Sequence, residues 1–349
     1  MKILEVNTEK TWRGGERQTF YNMKGFRDAG NEVHLLCKRK YPLSKISKKN
    51  DFNTYEVKST FQTILFLLFY GNEYDIIHAQ TAKAQLAAVI AKPIHRRKVV
   101  YTRRVDFIPK GFFTKMKYRF TNQLIAISTP VKKILENFGM QNVLVISDAV
   151  ENTTFDKHDA QHFILENNWN GKKIIGTIAA LVPHKDPITM VNAVYELSLL
   201  RDDFVFLHFG EGILKKEVQN EINKYHLEKI FILNGFTENV ESYFSVFDVY
   251  AMSSEEEGLG SSVLDAFIYK VPVASTNAGG LKEIVSGNGL LCEIKNAKML
   301  AKNISELLDN QQLRNELTDK AFLYASENHS VSKITSEYIA VFEQLLAVK

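Results

Sequence analysis

The sequence predicts an α/β protein built from two successive doubly wound units, each a parallel sheet with helices on its faces. Three observations predict it. Short apolar, strand-like runs alternate with helix-like stretches along nearly the whole chain. The alternation halts at a polar connection, residues 151–170, and then restarts. A length of 349 residues suits two domains at ~150 residues each.

In chain order, residues 2–6 read as a strand, followed by a glycine turn at Gly14 and Gly15 and a helix over about 17–29. Gly30 and Asn31 stop that helix, and 32–37 is the next strand. Residues 75–78 form a short buried-type strand before an Ala-rich helix at 81–91, and 98–101 and 123–127 are further strands. Ser128, Thr129 and Pro130 start a helix: the hydroxyls accept free N–H groups and Pro fits the first turn. After the connection, strands fall at 173–178, 204–209, 230–233, 248–252 and 271–274. Helices lie between them, as at 188–200 and 214–225, and helical periodicity runs from 298 to 348. No repeat and no low-complexity tract appears. Sheets of this kind bind ligands at the carboxyl ends of their strands, so a cleft between the two carboxyl-end faces is expected.

Composition excludes several classes. With 45% hydrophobic and 24% charged residues, long disorder and collagen-like chains do not fit. Two distant cysteines, Cys37 and Cys292, make neither a disulfide scaffold nor a zinc site, and a reducing compartment is expected. The first strand is followed by polar residues 7–17, so no secretory signal is expected. The longest apolar run, 64–70, is far short of the ~20 residues that cross a bilayer. The small net charge of +4 hides a split. Residues 1–150 hold 26 Lys and Arg against 12 Asp and Glu, which leaves 18 against 28 for the rest. One half is therefore expected to meet an anionic partner, the plainer alternative being two domains that merely differ.

Four motifs carry candidate chemistry. Gly14 and Gly15 form a turn between the first strand and the following helix, where backbone can approach a ligand and the helix N–H groups face an anion; a tight turn with no ligand is the alternative. Lys185 lies near a helix start after the first strand of the second unit, a point charge suited to phosphate unless it is a solvated surface lysine. The stretch 253–266 is the most telling. Gly258 and Gly260 free the backbone before a helix that starts at about Ser261, with Glu257 in the loop and Asp265 a turn inside the helix. Two such carboxylates can accept from two sets of ligand hydroxyls while the Leu259 and Gly260 N–H groups face an anion. Helix capping alone needs less than Glu255, Glu256, Glu257 and a Gly-x-Gly turn. Finally, 271–274 and the glycines Gly279 and Gly280 form a strand, a turn and a helix start, another ligand-facing loop.

Taken in order, 180–185, Phe209-Gly210-Glu211-Gly212, Asn234-Gly235-Phe236, 253–265, Val271-Pro272-Val273 and 279–285 resemble the nucleotide-sugar-binding domain of glycosyltransferase family 4, retaining enzymes of the GT-B fold. The first half is similar through Gly14 and Gly15, Asp75-Ile76-Ile77-His78 and Ile125-Ala126-Ile127-Ser128. The resemblance implies two Rossmann-like domains facing across a cleft: 1–160 for the acceptor and 166–332 for the donor, with a terminal helix at about 333–349 packing back on the first. It implies that Glu257 holds hydroxyls of the transferred sugar beside the Gly258–Gly260 backbone, that Asp265 (in place of a glutamate) holds the ribose, and that Lys185 holds the diphosphate. Gly210 then belongs to the donor site, Phe236 contacts the base through its backbone, and Glu283 helps order the site. Ala180 stands where the family has a partner arginine for the diphosphate, and Gln80 where many relatives have a histidine.

With no Asp-x-Asp motif and no His/Cys cluster, neither metal nor cofactor is expected, since fixed dipoles and a lysine can stabilise a departing diphosphate. The basic first half, with Phe112, Phe113, Tyr118 and Phe120 among its lysines, suits an anionic lipid or glycan acceptor, and Arg103 and Arg104 are the expected contacts to an acceptor phosphate. The expectation is a transferase moving sugar from a nucleotide sugar, of UDP by family habit, to a lipid-linked or envelope glycan such as lipopolysaccharide core. Its place would be the cytoplasm, peripheral on the inner face of the membrane. A sugar-nucleotide epimerase would need no basic acceptor domain. A nucleic-acid-binding protein would leave Lys185, Glu257 and Asp265 without a role, and no nucleic-acid motif is present.

Overall fold

A computed structural model describes residues 1–151, 157–237 and 240–347. The chain divides into two compact units, 1–149 with 329–349, and 150–328.

The first unit begins with β1 (Lys2–Asn7), α1 (Gly14–Asp28), β2 (Glu32–Lys38), α2 (Pro42–Lys49), β3 (Asn53–Val57) and α3 (Thr60–Tyr70). It continues with β4 (Ile76–Ala79), α4 (Ala82–His95), β5 (Lys98–Arg103), α5 (Phe112–Arg119), β6 (Gln123–Ala126), α6 (Thr129–Asn137) and β7 (Val143–Val145). All seven strands pair in parallel, in the order β3-β2-β1-β4-β5-β6-β7. The order reverses between β1 and β4, so the turns after these two strands diverge and leave a crevice at the carboxyl edge. Right-handed crossovers put α1 and α2 on one face and α3, α4 and α5 on the other, in keeping with the contacts of α1 with α2 and of α4 with both α3 and α5.

The second unit follows as α7 (His158–Glu166), β8 (Lys173–Ile178), α8 (Pro187–Ser198), β9 (Phe204–Phe209), α9 (Lys215–Lys224), β10 (Phe231–Gly235), β11 (Val249–Met252) and α10 (Ser261–Ile268). It ends with β12 (Val273–Thr276), α11 (Gly280–Val285), β13 (Leu290–Cys292), α12 (Ala297–Asp309) and α13 (Gln311–Asn328). Its six parallel strands run β10-β9-β8-β11-β12-β13, with the reversal between β8 and β11. Strands covered on both faces read as unbroken apolar runs, and all six residues of β9, Phe-Val-Phe-Leu-His-Phe, are buried. The core packs Ile175, Phe206, Val249 and Ala274 of the sheet against Val191, Val194, Leu197, Ile304 and Leu307 of α8 and α12.

The last helix, α14 (Val331–Ala347), belongs to the first unit. Ile334, Tyr338 and Phe342 enter its core beside Phe26 of α1 and Ile3 of β1, with Phe26 5.4 Å from the Phe342 ring and 5.9 Å from that of Tyr338. The close approach is set at Gly25, where an added Cβ would lie 1.8 Å from Thr335 Oγ1.

Local chemistry explains where elements start. Ser128 Oγ accepts from Val131 N at 3.4 Å, the expected cap, and Thr81 Oγ1 accepts from Ala84 N at 3.2 Å, so that Thr81 caps α4 instead of opening it. The first helix starts three residues earlier than the sequence suggests. The Glu16 carboxylate accepts from Arg13 N (2.9 Å) and from Thr11 Oγ1 (3.2 Å), so Gly14 and Gly15 form the first turn of α1 instead of a loop before it.

Candidate functional site

The strand-order reversal of the second unit places the β8–α8 and β11–α10 connections on either side of one crevice, and both carry charged residues. Leaving β8, the chain makes a tight turn at 183–185, and Asp186 (φ 42°) caps α8 by accepting from Thr189 N at 3.2 Å and Thr189 Oγ1 at 2.5 Å. Leaving β11, residues 253–260 lead into α10, whose N-cap Gly260 has φ 99°.

The two connections are stitched together. His184 O accepts from Glu255 N (2.9 Å) and Glu256 N (3.1 Å). Ser253 Oγ donates to Asp186 O at 2.8 Å, and Thr276 Oγ1 of β12 donates to Ser254 O at 2.7 Å. This frame sets the Lys185 ammonium against Glu257 Oε2 in a hydrogen-bonded ion pair, both side chains only partly exposed. Ser254 Oγ lies 3.4 Å from the same oxygen. A cation suited to phosphate and a carboxylate suited to hydroxyls thus share one crevice at the mouth of a helix.

Glycines hold the frame from behind. An added Cβ at Gly279 would meet Glu257 O at 2.2 Å, and one at Gly280 would meet Gly258 O at 2.5 Å, while Gly280 N donates to Glu257 O at 2.8 Å. The α11 turn therefore presses on the backbone beside Glu257, and any side chain there would push the loop forward. Gly258, Leu259 and Gly260 are buried. Asp265 is buried one turn inside α10. Gly210 (φ 139°) has a structural reason of its own: its Cβ would lie 2.0 Å from Ala179 O. Phe236 is exposed just past β10, and Glu283 is exposed on α11.

Three further groups frame the crevice, and the sequence reading gave none of them a role. Ser253 and Asp186 tie the loops, and each lies in or beside a motif already singled out, 253–266 and Lys185. His208, inside β9, donates from Nε2 to Ala179 O (3.0 Å), and burial pushes its imidazole down to about 4.

In the first unit, a Cβ at Gly15 would meet nothing within 4 Å. The expected acceptor contacts are engaged elsewhere. Arg103 is only 2% exposed; its guanidinium donates to Tyr118 Oη at 2.6 Å and to Phe107 O, and stacks 5.0 Å from the Phe107 ring. Arg104 donates to Asp148 Oδ1 at 2.9 Å and to Gln80 Oε1. Both arginines thus face inward at the end of β5 and serve the interior of the unit, not an open surface. Gln80 also donates to Glu5 Oε2 at 2.7 Å, and His78 bridges Glu5 (2.7 Å) and Thr102 (2.8 Å). That buried network was missed, although a glutamate inside the apolar run of β1 is the sign of one. Among the described residues, no group of three or more His, Cys, Asp or Glu could hold a metal ion, and no helix is long and apolar enough to cross a membrane.

Comparison with known proteins covers both units. The family model for glycosyl transferases group 1 matches residues 159–323, and that for glycosyltransferase family 4 matches residues 12–152. The poly(ribitol-phosphate) alpha-N-acetylglucosaminyltransferase of Staphylococcus aureus (strain COL) is 29% identical over 213 residues, 60% of this chain and 41% of that protein. The N-acetylgalactosamine-N,N'-diacetylbacillosaminyl-diphospho-undecaprenol 4-alpha-N-acetylgalactosaminyltransferase of Campylobacter jejuni is 26% identical over 152 residues, 43% of this chain and 41% of that protein. The matches to the first curated relatives span 41% to 62% of those proteins' lengths. The crystal structure of Anabaena HepE in complex with UDP and glucose has the same fold, with a TM-score of 0.88 at 20% identity over 99% of this chain and 100% of that one.

Proposed function

The chain belongs to glycosyltransferase family 4 and has the GT-B fold, and from that premise we propose that it moves a sugar from a nucleotide-sugar donor, a UDP-sugar, to a lipid-linked or cell-envelope glycan such as lipopolysaccharide core. One observation carries the reading: Lys185 and Glu257 meet at the strand-order reversal of the second unit, beside the start of α10. The relatives support it through their names, which describe transfer to poly(ribitol-phosphate) and to a diphospho-undecaprenol, and through the UDP and glucose held by Anabaena HepE.

In this reading, Glu257 accepts from hydroxyls of the transferred sugar, and Lys185 exchanges part of its pairing with Glu257 for the diphosphate. The N–H groups at the start of α10 add to the positive field. Asp265 serves the ribose, Phe236 the base, and Gly210 and Glu283 the loops around them. The acceptor hydroxyl oxygen bonds to the anomeric carbon as the carbon–oxygen bond to phosphate breaks. The diphosphate leaves with that electron pair, and the hydroxyl proton passes to its oxygen. Attack and departure on one face retain the anomeric configuration. Lys185 and the helix dipole supply the charge that the leaving group needs, so the step is written without a metal. The acceptor belongs to the first unit, and the place of action is the inner face of the cytoplasmic membrane.

A thermal-shift screen of nucleotides and nucleotide sugars tests the reading, followed by mass-spectrometric detection of glycosylated product. A ligand at a hundredfold its dissociation constant stabilises by about 2.7 kcal/mol. A rise in melting temperature with a UDP-sugar is expected, and no response to any nucleotide or nucleotide sugar at millimolar concentration overturns it.

A further inference from the structure

Helix α3 reads Thr-Phe-Gln-Thr-Ile-Leu-Phe-Leu-Leu-Phe-Tyr, without a charged residue. A helix apolar on every side is normally enclosed, yet only Thr63 and Leu67 of α3 are buried, and Phe69 is 71% exposed. Its neighbour α4 turns Leu86, Ile90 and Ile94 outward, a stripe at every fourth residue, with Ile94 63% exposed. Single exposed apolar residues are ordinary; two adjacent helices presenting them together are not.

The surroundings are cationic. The stripe on α4 runs into an open groove of about 380 Å³ lined by Asn72, Pro93, Ile94, His95, Arg96 and Arg97. On its other flank α4 is tied to α5, because Lys92 Nζ donates to Phe120 O at 2.7 Å and Lys117 Nζ to Ala82 O at 3.3 Å. There Phe113 is 87% exposed, amid Lys115 and Arg119. Residues 76–122 contain eleven Lys and Arg, two of them the inward-facing Arg103 and Arg104, and one acid, Asp106. The acids just before β4 are engaged by β1: Asp75 accepts from Lys2 N at 2.8 Å, and Glu73 lies 3.7 Å from Lys2 Nζ.

We propose that the face formed by α3 and α4, with α5 at its side, beds into the headgroup region of an anionic lipid bilayer, an inference that rests on the proposed place of action and supplies the surface that achieves it. A water-soluble acidic partner would match the charge but not an uncharged helix of eleven residues; an anionic bilayer matches both. At ~1.5 Å rise per residue, α3 is about half as long as the bilayer core is thick, so it lies in the plane of the interface and does not span it. Arg96 and Arg97 then stand at the level of the lipid phosphates.

Flotation of the full chain with phosphatidylcholine vesicles, with and without about a third phosphatidylglycerol, tests this. The chain is expected to float with the anionic vesicles, and combined Phe69→Ser, Ile90→Ser and Ile94→Ser to weaken that binding roughly tenfold or more. Arg96→Glu with Arg97→Glu, which leaves the apolar side chains in place, is expected to abolish the preference for anionic lipid. Equal binding by the wild type and both variants overturns the proposal. So does wild-type failure to bind, including the case in which the serine variant instead dissolves a salt-stable dimer of the wild type. Nucleotide-sugar turnover with a water-soluble acceptor, measured on the same samples, separates the readings. Turnover retained without flotation of the serine variant leaves the enzymatic reading standing, and flotation without any turnover counts against the enzymatic reading alone.

Discussion

Lys185 and Glu257 stand 72 positions apart in sequence and neutralise each other in space. In the proposed reaction, removing either charge is expected to change chemistry more than stability, because the pair sits at the mouth of a crevice outside the hydrophobic core of the second unit. Lys185→Ala and Glu257→Gln are each expected to cut product formation by about a hundredfold or more, roughly 3 kcal/mol of transition-state stabilisation, with little change in melting temperature. Near-normal rates in either variant would remove its assigned role. His208 gives a pH test of the second unit. Its folded-state value of about 4 lies below the ordinary ~6.5 of an exposed imidazole. The stability it confers is therefore complete above about pH 6.5 and is lost as the pH falls toward 4, by roughly 3 kcal/mol across the window. Denaturant titration at several pH values is expected to show that slope in the wild type and a flatter one in His208→Asn. Lys185 and Glu257 were legible in the sequence because each sits beside a turn that follows an apolar strand. Their pairing was not, since contact across 72 residues depends on strand order. Arg103 and Arg104 show the opposite limit. A run of basic residues after a strand says nothing about which way the side chains turn, and here Tyr118, Phe107, Gln80 and Asp148 draw them inward.

At the scale of elements, α11 acts as a backstop for the Glu257 loop. Gly280→Ala puts a methyl group 2.5 Å from Gly258 O and 2.6 Å from Leu259 Cα. Backbone cannot move aside as a side chain can, so a loss of about 1–3 kcal/mol is expected. Weaker nucleotide binding is expected with it, read by thermal melts and by titration of a nucleotide. The strands at 173–178 and 204–209 match β8 and β9 residue for residue, because fully enclosed parallel strands announce themselves by unbroken apolar runs. The strand expected at 271–274 is displaced to Val273–Thr276: Pro272 has no N–H for the ladder and only its carbonyl is used, by Tyr250 N at 2.9 Å. Elements α2 and β3 went unread. The first is eight residues long, with only Leu43 and Ile46 to mark an apolar face, and the second is a half-exposed sheet edge, so both patterns are too short to stand out. In sequence the run within α3 shows only that it is too short to span a membrane, because composition reports apolarity and not whether an apolar helix is covered.

Across the whole molecule, the first unit is completed by the last helix of the chain. Full burial of Ile334, Tyr338 and Phe342 is worth about 1.5–3 kcal/mol each, and together they approach the net stability of an ordinary domain. A chain ending at Asn328 is expected to lose the cooperative melt of the first unit while the second keeps its own transition; calorimetry resolves the two. The same connectivity orders events during synthesis. The second unit lies within the sequence of the first, so a nascent chain can fold its interior module as soon as that module leaves the ribosome. The strands of the first unit must wait, their hydrophobic seat for α14 open, until residues 331–347 have cleared the exit tunnel.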